Sequence, residues 1–178
     1  WFNPAPLLAL VEVVPTAVTA PAVIERAVAA VTAWGKTPVR SAGTPGFIVN
    51  RVNRPFTIEA LRLLEAGAAD IATIDAAMRA GGFPLGPFEL MDLAGLDINL
   101  AAARGIWEGL GRPERLRPST IQERLVAAGH LGRKTGEGFY RYDADGTRHP
   151  AEDFATAPAA VVDSAAIVAR ITSAIDAE

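Results

Sequence analysis

From Leu7 to Val14 every position is apolar except Glu12, the last residues are β-branched, and Pro6 and Pro15 close the run. A stretch this short and continuous predicts a strand buried on both faces of a parallel sheet. Thr19 and Pro21 then predict a helix start: a hydroxyl cap, followed by a proline where the missing N–H has no helical partner to lose. Ile24, Ala27, Val28, Val31 and Trp34 recur at helical spacing until Gly35 ends the pattern. Thr37 to Arg40 reads as another short strand. Strand, helix, strand is the closing unit of a parallel sheet rather than a domain by itself.

From Thr44 the periodicity changes to helical throughout. Thr44-Pro45-Gly46 starts a helix with apolar residues at Ile48, Val52, Phe56, Ala60 and Leu64, up to Gly67. Pro55 lies inside this pattern and predicts a kink, because it cannot donate to Arg51 and its ring crowds that carbonyl. Asp70 caps a second helix carrying Ile71, Ile74, Ala77 and Met78 and stopped by Gly81-Gly82. Gly86-Pro87 opens a third, Leu96 to Leu110 gives a fourth, and Pro118-Ser119-Thr120 caps a fifth that runs to Gly129. A Gly-rich basic loop and the strand-like Gly138-Phe139-Tyr140-Arg141-Tyr142 follow. Residues 143–163, rich in Ala, Pro, Asp and Gly without an apolar period, read as a linker. At the end, Ile167-Val168-Ala169-Arg170 matches Ile48-Val49-Asn50-Arg51, and each Ile is followed eleven residues on by a Glu, Glu178 and Glu59. This suggests the opening of a second copy of the kinked helix; chance likeness between two Ala-rich amphipathic helices is the alternative.

Composition adds exclusions. In 178 residues, half are hydrophobic, which is ample for a packed core. The absence of cysteine removes disulfides, thiolate metal sites and cysteine nucleophiles. Seventeen basic against twenty acidic side chains, a net charge of −3, gives no electrostatic reason to expect nucleic acid or an anionic membrane surface. No apolar run approaches the length of a spanning helix, so the sequence reads as a soluble, intracellular protein. It opens on Trp1 with no basic leader, which reads as a start inside a longer protein.

Few residues invite chemistry. Glu12 shares a strand face with Leu8, Leu10 and Val14, and an ionised carboxylate there is costly unless bonded or paired. A protonated imidazole would satisfy it and would have its own pKa raised in return; a strand end reaching water is the other reading. Asn50 is an amide one turn into an apolar helix, by itself most simply a surface Asn beside Arg51 and Asn53. The loop Gly132-Arg133-Lys134-Thr135-Gly136-Glu137-Gly138 imitates the end of a phosphate-binding loop in Lys134-Thr135, but Arg133 and Ala128 stand where glycines are required. His130 closes a helix, where a cation complements the dipole, and His149 lies in the linker. No spacing of His and carboxylates suits a transition metal.

Taken in order, Trp1-Phe2-Asn3-Pro4, Leu10-Val11-Glu12-Val13, Thr44 to Arg51, Gly86-Pro87-Phe88-Glu89-Leu90, Gly95-Leu96-Asp97 and Gly132 to Tyr140 resemble the NAD-dependent L-3-hydroxyacyl-CoA dehydrogenases, including the bacterial 3-hydroxybutyryl-CoA enzymes. The resemblance spans roughly residues 1–142 in unbroken order. It implies a mainly α chain: a helical C-terminal dehydrogenase domain preceded by the last strand-helix-strand of a Rossmann domain. The implied layout is 1–42 for the Rossmann remnant, 43–142 for the helical domain, 143–163 for the linker and 164–178 for the start of a second helical repeat.

The family pattern begins His-Phe-Phe-Asn-Pro, which would put the catalytic His just before Trp1 and the G-x-G-x-x-G turn further upstream. By residue matching, Glu12 looks like the carboxylate that orients this His and Asn50 like the amide that contacts substrate, while Asn3 and Lys134 resemble positions near the nicotinamide. The implied reaction is oxidation at C3 of a 3-hydroxyacyl-CoA with NAD, in a bacterial, cytoplasmic enzyme of fatty-acid β-oxidation. The implied partners are an acyl-CoA and either a second subunit or an intrachain repeat paired through the helical domain. The 178-residue chain alone is expected to be inactive, to bind NAD negligibly, and to self-associate through the helices between Thr44 and Gly129. Another two-domain β-hydroxyacid dehydrogenase and a non-enzymatic interaction module are the alternatives.

Overall fold

Two short strands, β1 (Leu10–Val13) and β2 (Thr37–Arg40), pair in parallel with Glu12 opposite Val39. They are joined by α1 (Pro21–Ala33). This is one of two units, Trp1–Arg51 and Val52–Glu178, in a computed structural model that describes residues 1–2, 5–154 and 163–178. The chain is mainly helical. Among the described residues, no helix is long and apolar enough to cross a membrane.

The strand is shorter than the apolar run suggests. Leu7 and Leu8 are exposed, and of the β1 residues only Val11 is buried. The cause is Lys36, whose ammonium donates to the carbonyls of Ala5, Pro6 and Leu8 at 2.8–2.9 Å and holds that segment out of the ladder. Thr19 does not cap α1 either. Its hydroxyl oxygen accepts from Thr16 N–H at 2.9 Å, so Ala20 stands at the N-cap and Pro21 opens the helix alone.

The helix expected from Thr44 begins later and in two pieces, α2 (Val49–Val52) and α3 (Arg54–Glu65), separated at Asn53. Pro55 therefore sits in the first turn of α3, where its missing N–H has no partner to lose. The boundary between the compact units, at Arg51/Val52, has a physical reason: amides at Ile48 and Val49 are bonded to Glu12.

In the second unit α4 (Ile71–Ala80) is capped by Asp70, whose carboxylate accepts from Thr73 N–H at 2.7 Å. Next come α5 (Pro87–Ala94), α6 (Leu96–Gly109) and α7 (Thr120–Ala127), the last capped by Ser119. The core of this unit gathers Ile71, Ile74, Met78, Phe88, Met91, Leu96 and Phe139, all fully buried. A further helix, α8 (Ser164–Asp176), lies against α3 and α4, buries Ile167 and Ile171 completely, and pairs Arg170 Nε with Glu59 Oε2 at 3.1 Å. Deleting methylenes at such positions typically costs about 2–5 kcal/mol, so α8 is part of the core rather than an appendage.

The segment read as a linker is folded over its first part. Tyr140–Tyr142 (β3) and Arg148–Pro150 (β4) form an antiparallel hairpin, followed by a 3-10 turn at Glu152–Phe154. The Asp143 to Thr147 stretch, which looked featureless, is the hairpin turn: Asp143 N–H donates to Thr147 O at 2.8 Å, and Ala151 beyond it is buried. Residues 155–162 lie outside the described residues.

Two buried carboxylates hold this unit together. Asp75 on α4 accepts from the Phe88 and Glu89 amides, at 2.9 and 3.1 Å, and from the Tyr140 hydroxyl at 2.8 Å. Asp92 on α5 accepts from the Phe139 and Tyr140 amides, both at 2.9 Å, and from the Tyr142 hydroxyl at 3.0 Å. Burial pushes the Asp75 carboxyl up to about 7, against the opposing pull of the Tyr140 and Phe88 bonds and of Arg79 and Arg148. Between its ordinary value of 3.8 and about 7, the folded chain holds a proton that the unfolded chain has released. Stability therefore falls as pH rises through that interval. We expect the urea midpoint of the helical unit to drop between about pH 5 and about pH 8, and Asp75→Asn to flatten this slope. A midpoint in wild type that rises over that interval would place the Asp75 titration elsewhere.

Candidate functional site

The first unit brings Glu12 and the start of α2 together. Thr44-Pro45-Gly46-Phe47 forms a turn in which Phe47 N–H donates to Thr44 O at 2.9 Å, and Gly46 and Phe47 both have positive φ, +80° and +50°. Glycine takes this conformation freely; a phenylalanine does so at a cost of order 1–3 kcal/mol and needs surroundings that enforce it. Glu12 enforces it. Its Oε1 accepts from Ile48 N–H at 2.8 Å and from Val49 N–H at 3.1 Å, which fixes the two amides that follow the strained residue.

Both partners contact the same oxygen, Oε1. Among the described residues nothing donates to Oε2 of this half-buried side chain. Glu12 is thus neither a solvated strand end nor an apolar-face charge without partners. One oxygen is anchored to backbone and the other remains able to accept. Immediately after the two bonded amides comes Asn50, exposed, its side-chain amide without a hydrogen-bond partner among the described residues. The carboxylate and the amide matched from sequence are therefore two ends of one local arrangement.

Asn3 lies outside the described residues. Lys134 belongs to the second unit, where its ammonium pairs with the carboxylate of Asp97 and holds it below the usual carboxylate range. The Gly-rich loop around it is built for packing: a Cβ at Gly132 would come within 2.3 Å of the Asp92 carbonyl oxygen, and one at Gly138 within 2.2 Å of Asp92 Oδ1. Arg133 lies over the Tyr142 ring at 5.3 Å. The loop's two cations thus face a carboxylate and an aromatic ring of the chain itself. His130 and His149 are also in the second unit, 3.2 Å from Glu137 and Asp143 respectively. Among the described residues no group of His and carboxylates could hold a metal ion.

Comparison with known proteins shows the family. The model of the 3-hydroxyacyl-CoA dehydrogenase NAD binding domain matches residues 1–44, and that of the 3-hydroxyacyl-CoA dehydrogenase C-terminal domain matches residues 46–142. The chain belongs to the 3-hydroxyacyl-CoA dehydrogenase family. It is 48% identical over 146 residues to 3-hydroxyadipyl-CoA dehydrogenase of Escherichia coli, a match covering 82% of this chain and 31% of that protein. It is 47% identical over 143 residues to the mitochondrial hydroxyacyl-coenzyme A dehydrogenase of Sus scrofa, covering 80% of this chain and 46% of the other. Among solved structures, 3-hydroxybutyryl-CoA dehydrogenase from E. coli superposes with a TM-score of 0.78 at 47% identity, over 84% of this chain and 31% of that one. The (S)-3-hydroxybutyryl-CoA dehydrogenase from Ralstonia eutropha gives 0.77 at 38% identity, over 80% and 50%. The chain thus spans a third to a half of the length of these relatives.

Sequence reasoning passed over the two carboxylates that organise the second unit. Asp75 and Asp92 sit among apolar residues on helices, where nothing in the spacing separates a buried acceptor from a solvated one. The nearby signal is Gly86, where a Cβ would fall 2.3 Å from Asp75 Cγ, so the glycine that opens α5 also makes room for the acid that caps it. For Glu12 the expected consequence is local. In Glu12→Ala the Ile48 and Val49 amides lose their acceptor, at about 1–2 kcal/mol, and should exchange with deuterium at least about tenfold faster while Val11 and Val39 keep their protection. Exchange at Ile48 and Val49 unchanged from wild type would mean that Glu12 does not hold this turn.

Proposed function

We propose that this chain is part of an oxidoreductase that converts 3-hydroxyacyl-CoA to 3-oxoacyl-CoA with NAD, and that it supplies the carboxylate and amide of the substrate site. The observation that carries the reading is the half-committed carboxylate of Glu12. A group anchored by Oε1 and open at Oε2 is suited to hold an imidazole in one tautomer and to stabilise it when charged, as the third member of a catalytic triad does. Asn50, one residue past the anchored amides, is suited to donate to the substrate oxygen as it becomes a carbonyl.

In the reaction a base takes the hydroxyl proton while hydride leaves C3. NAD, when bound, supplies the hydride acceptor. In the second unit the loop glycines face Asp92 and Lys134 pairs with Asp97. What this chain contributes is proton handling. Glu12 through Oε2 keeps the imidazole oriented toward the hydroxyl and raises its affinity for the proton it takes. The match of residues 1–44 to the NAD-binding domain, with its parallel β1–α1–β2 unit, supports assigning residues 1–42 to the end of a Rossmann domain. The match of residues 46–142 supports a helical domain over 43–142. We place residues 164–178, which fold as α8, at the start of a second helical repeat.

The test of the main reading is Glu12→Gln in the full-length protein. The side chain keeps its shape and one acceptor oxygen for the Ile48 and Val49 amides, so folding should be retained, while kcat should fall by at least about tenfold as the charge is lost. An unchanged kcat would assign Glu12 to the turn alone.

The proposal extends to assembly and setting: a homodimer, or an intrachain repeat, paired through the helical domain of a bacterial cytoplasmic enzyme of fatty-acid β-oxidation. Leu93 and Ile98, 53% and 61% exposed on α5 and α6, support an uncovered apolar face. Docking of α8 covers apolar surface of α3 and α4. Sedimentation over a range of concentrations should show reversible self-association of the chain, weakened by Ile98→Lys; a monomer at every concentration would count against pairing through this surface.

A further inference from the structure

The apolar run that leads into β1 does not by itself fix the phase of the strand. From Leu7 to Val14 only Glu12 is polar, so a slip of one residue would exchange one apolar face for another without opposition from the pattern. The side chain that such a slip would misplace is Glu12, which would turn away from the side where the Ile48 and Val49 amides meet it. β1 has four residues and, among the described residues, one parallel partner, joined to it through α1 rather than by a tight turn that would set the register. A group outside the ladder has to hold it.

Lys36 is placed to do so. Gly35, with a φ of +71°, closes α1, and the Lys36 N–H donates to Val31 O at 3.2 Å, so the helix end fixes the backbone at Lys36. Thr37, the next residue, opens β2 and donates its N–H to Ala9 O at 2.8 Å. From this point the half-buried Lys36 side chain reaches back to the run ahead of β1. Its Nζ donates to the carbonyls of Ala5, Pro6 and Leu8 at 2.8, 2.9 and 2.9 Å. An ammonium has three N–H donors, and here each is answered by the main chain of one short segment. The consecutive carbonyls of Leu8 and Ala9 are thus held by the side chain of one residue and the amide of the next. A slip of one residue would displace all of these acceptors by about 3.3 Å, out of reach of the ammonium. The ring of Trp1 lies 5.6 Å from that of Trp34, so the same corner also holds the start of the segment.

We propose that Lys36 is a positioning residue of the dehydrogenase site: it locks the phase of β1 and thereby the direction in which Glu12 presents its carboxylate. This rests on the dehydrogenase reading and adds to it the group that aims its carboxylate. Lys36 acts through the backbone from Leu8 to Glu12, and the proton transfer responds to it only by way of Glu12.

The experiment uses the full-length protein with NAD and 3-hydroxybutyryl-CoA and compares wild type with Lys36→Met, which keeps the stem and loses the three donors. In the variant kcat should fall by at least about tenfold, with the KM of the thioester within about twofold of wild type. The acidic limb of the kcat profile reports the imidazole, which must be neutral to take the hydroxyl proton. That limb should move to lower pH by at least about half a unit, because a carboxylate turned away no longer favours the protonated ring. The Ile48 and Val49 amides should exchange with deuterium at least about threefold faster. Lys36→Arg, which keeps donors at this place, should bring kcat to within about threefold of wild type and return the limb. Should the Met variant not fold, Lys36→Gln, with two donors left, should show the faster exchange and the shifted limb in smaller measure. A loss of activity with the limb and the exchange both unmoved would overturn the proposal and leave Lys36 a structural tie. Wild type without turnover would overturn the dehydrogenase reading; unchanged exchange at Ile48 and Val49 would separately overturn the hold of Lys36 on Glu12.

Discussion

A buried carboxylate must have its oxygens answered, and the second unit is arranged around meeting that demand twice. Tyr140 is the common element: its amide goes to Asp92 and its hydroxyl to Asp75. One residue of β3 thereby ties α4 to α5, although it is sixty-five residues from the first acid and forty-eight from the second. The Phe88 and Glu89 amides, free by geometry at the start of α5, are the natural donors for Asp75, and Glu89 in turn draws Arg79 and Arg148 toward the same region. Each charge is buried only because backbone N–H groups of another element complete it. This couples the elements more tightly than apolar packing alone, since losing one donor leaves an ion stranded.

The same physics is used incompletely in the first unit, and that incompleteness is what makes Glu12 chemically interesting. Asp75 and Asp92 use both oxygens; among the described residues Glu12 uses one. Two amides on one oxygen suffice to hold a four-residue helix behind a strained Phe47, and α2 is too short to be stable by its own hydrogen bonds. The turn therefore depends on the acid. An acid also used to orient a base is then fixed in space by the segment that presents Asn50. Positioning of the carboxylate and of the amide becomes one problem, solved within residues 12–50.

Much of this architecture was legible in the sequence, and what was not has identifiable causes. Caps and stops were readable at Asp70, Gly81, Gly86-Pro87 and Ser119 because each is a local device, decided by residues within a turn of one another. The errors arose where a distant group overrode the local rule. Lys36, bonded to the carbonyls of Pro6 and Leu8, held Leu7 and Leu8 out of the strand that their apolar character favoured. Residues 143–154, without any apolar period, became a hairpin because β3 was already fixed by Asp92 and offered them an edge. Glu12 and Asn50 were matched through the family resemblance, but the anchoring of Glu12 Oε1 to the Ile48 and Val49 amides was invisible, since those donors are backbone amides some thirty-six residues away.

Arg54 marks a different limit. In the sequence it stands between Asn53 and Pro55 like any solvated cation at a helix start, and a positive charge there is even opposed by the helix dipole. Only the fold shows it buried, with an amide oxygen in place of a counter-ion. Asp75 and Asp92 show how this chain treats a buried acid when the partner is its own backbone: by bringing N–H donors from another element to within 3.1 Å. A guanidinium needs acceptors, and acceptors of opposite charge were within the chain's means, as Glu59 with Arg170 and Glu89 with Arg148 attest. At Arg54 the described residues provide none. The guanidinium is left to an amide oxygen that Gln122 shares, and its Nε is buried without an acceptor among the described residues.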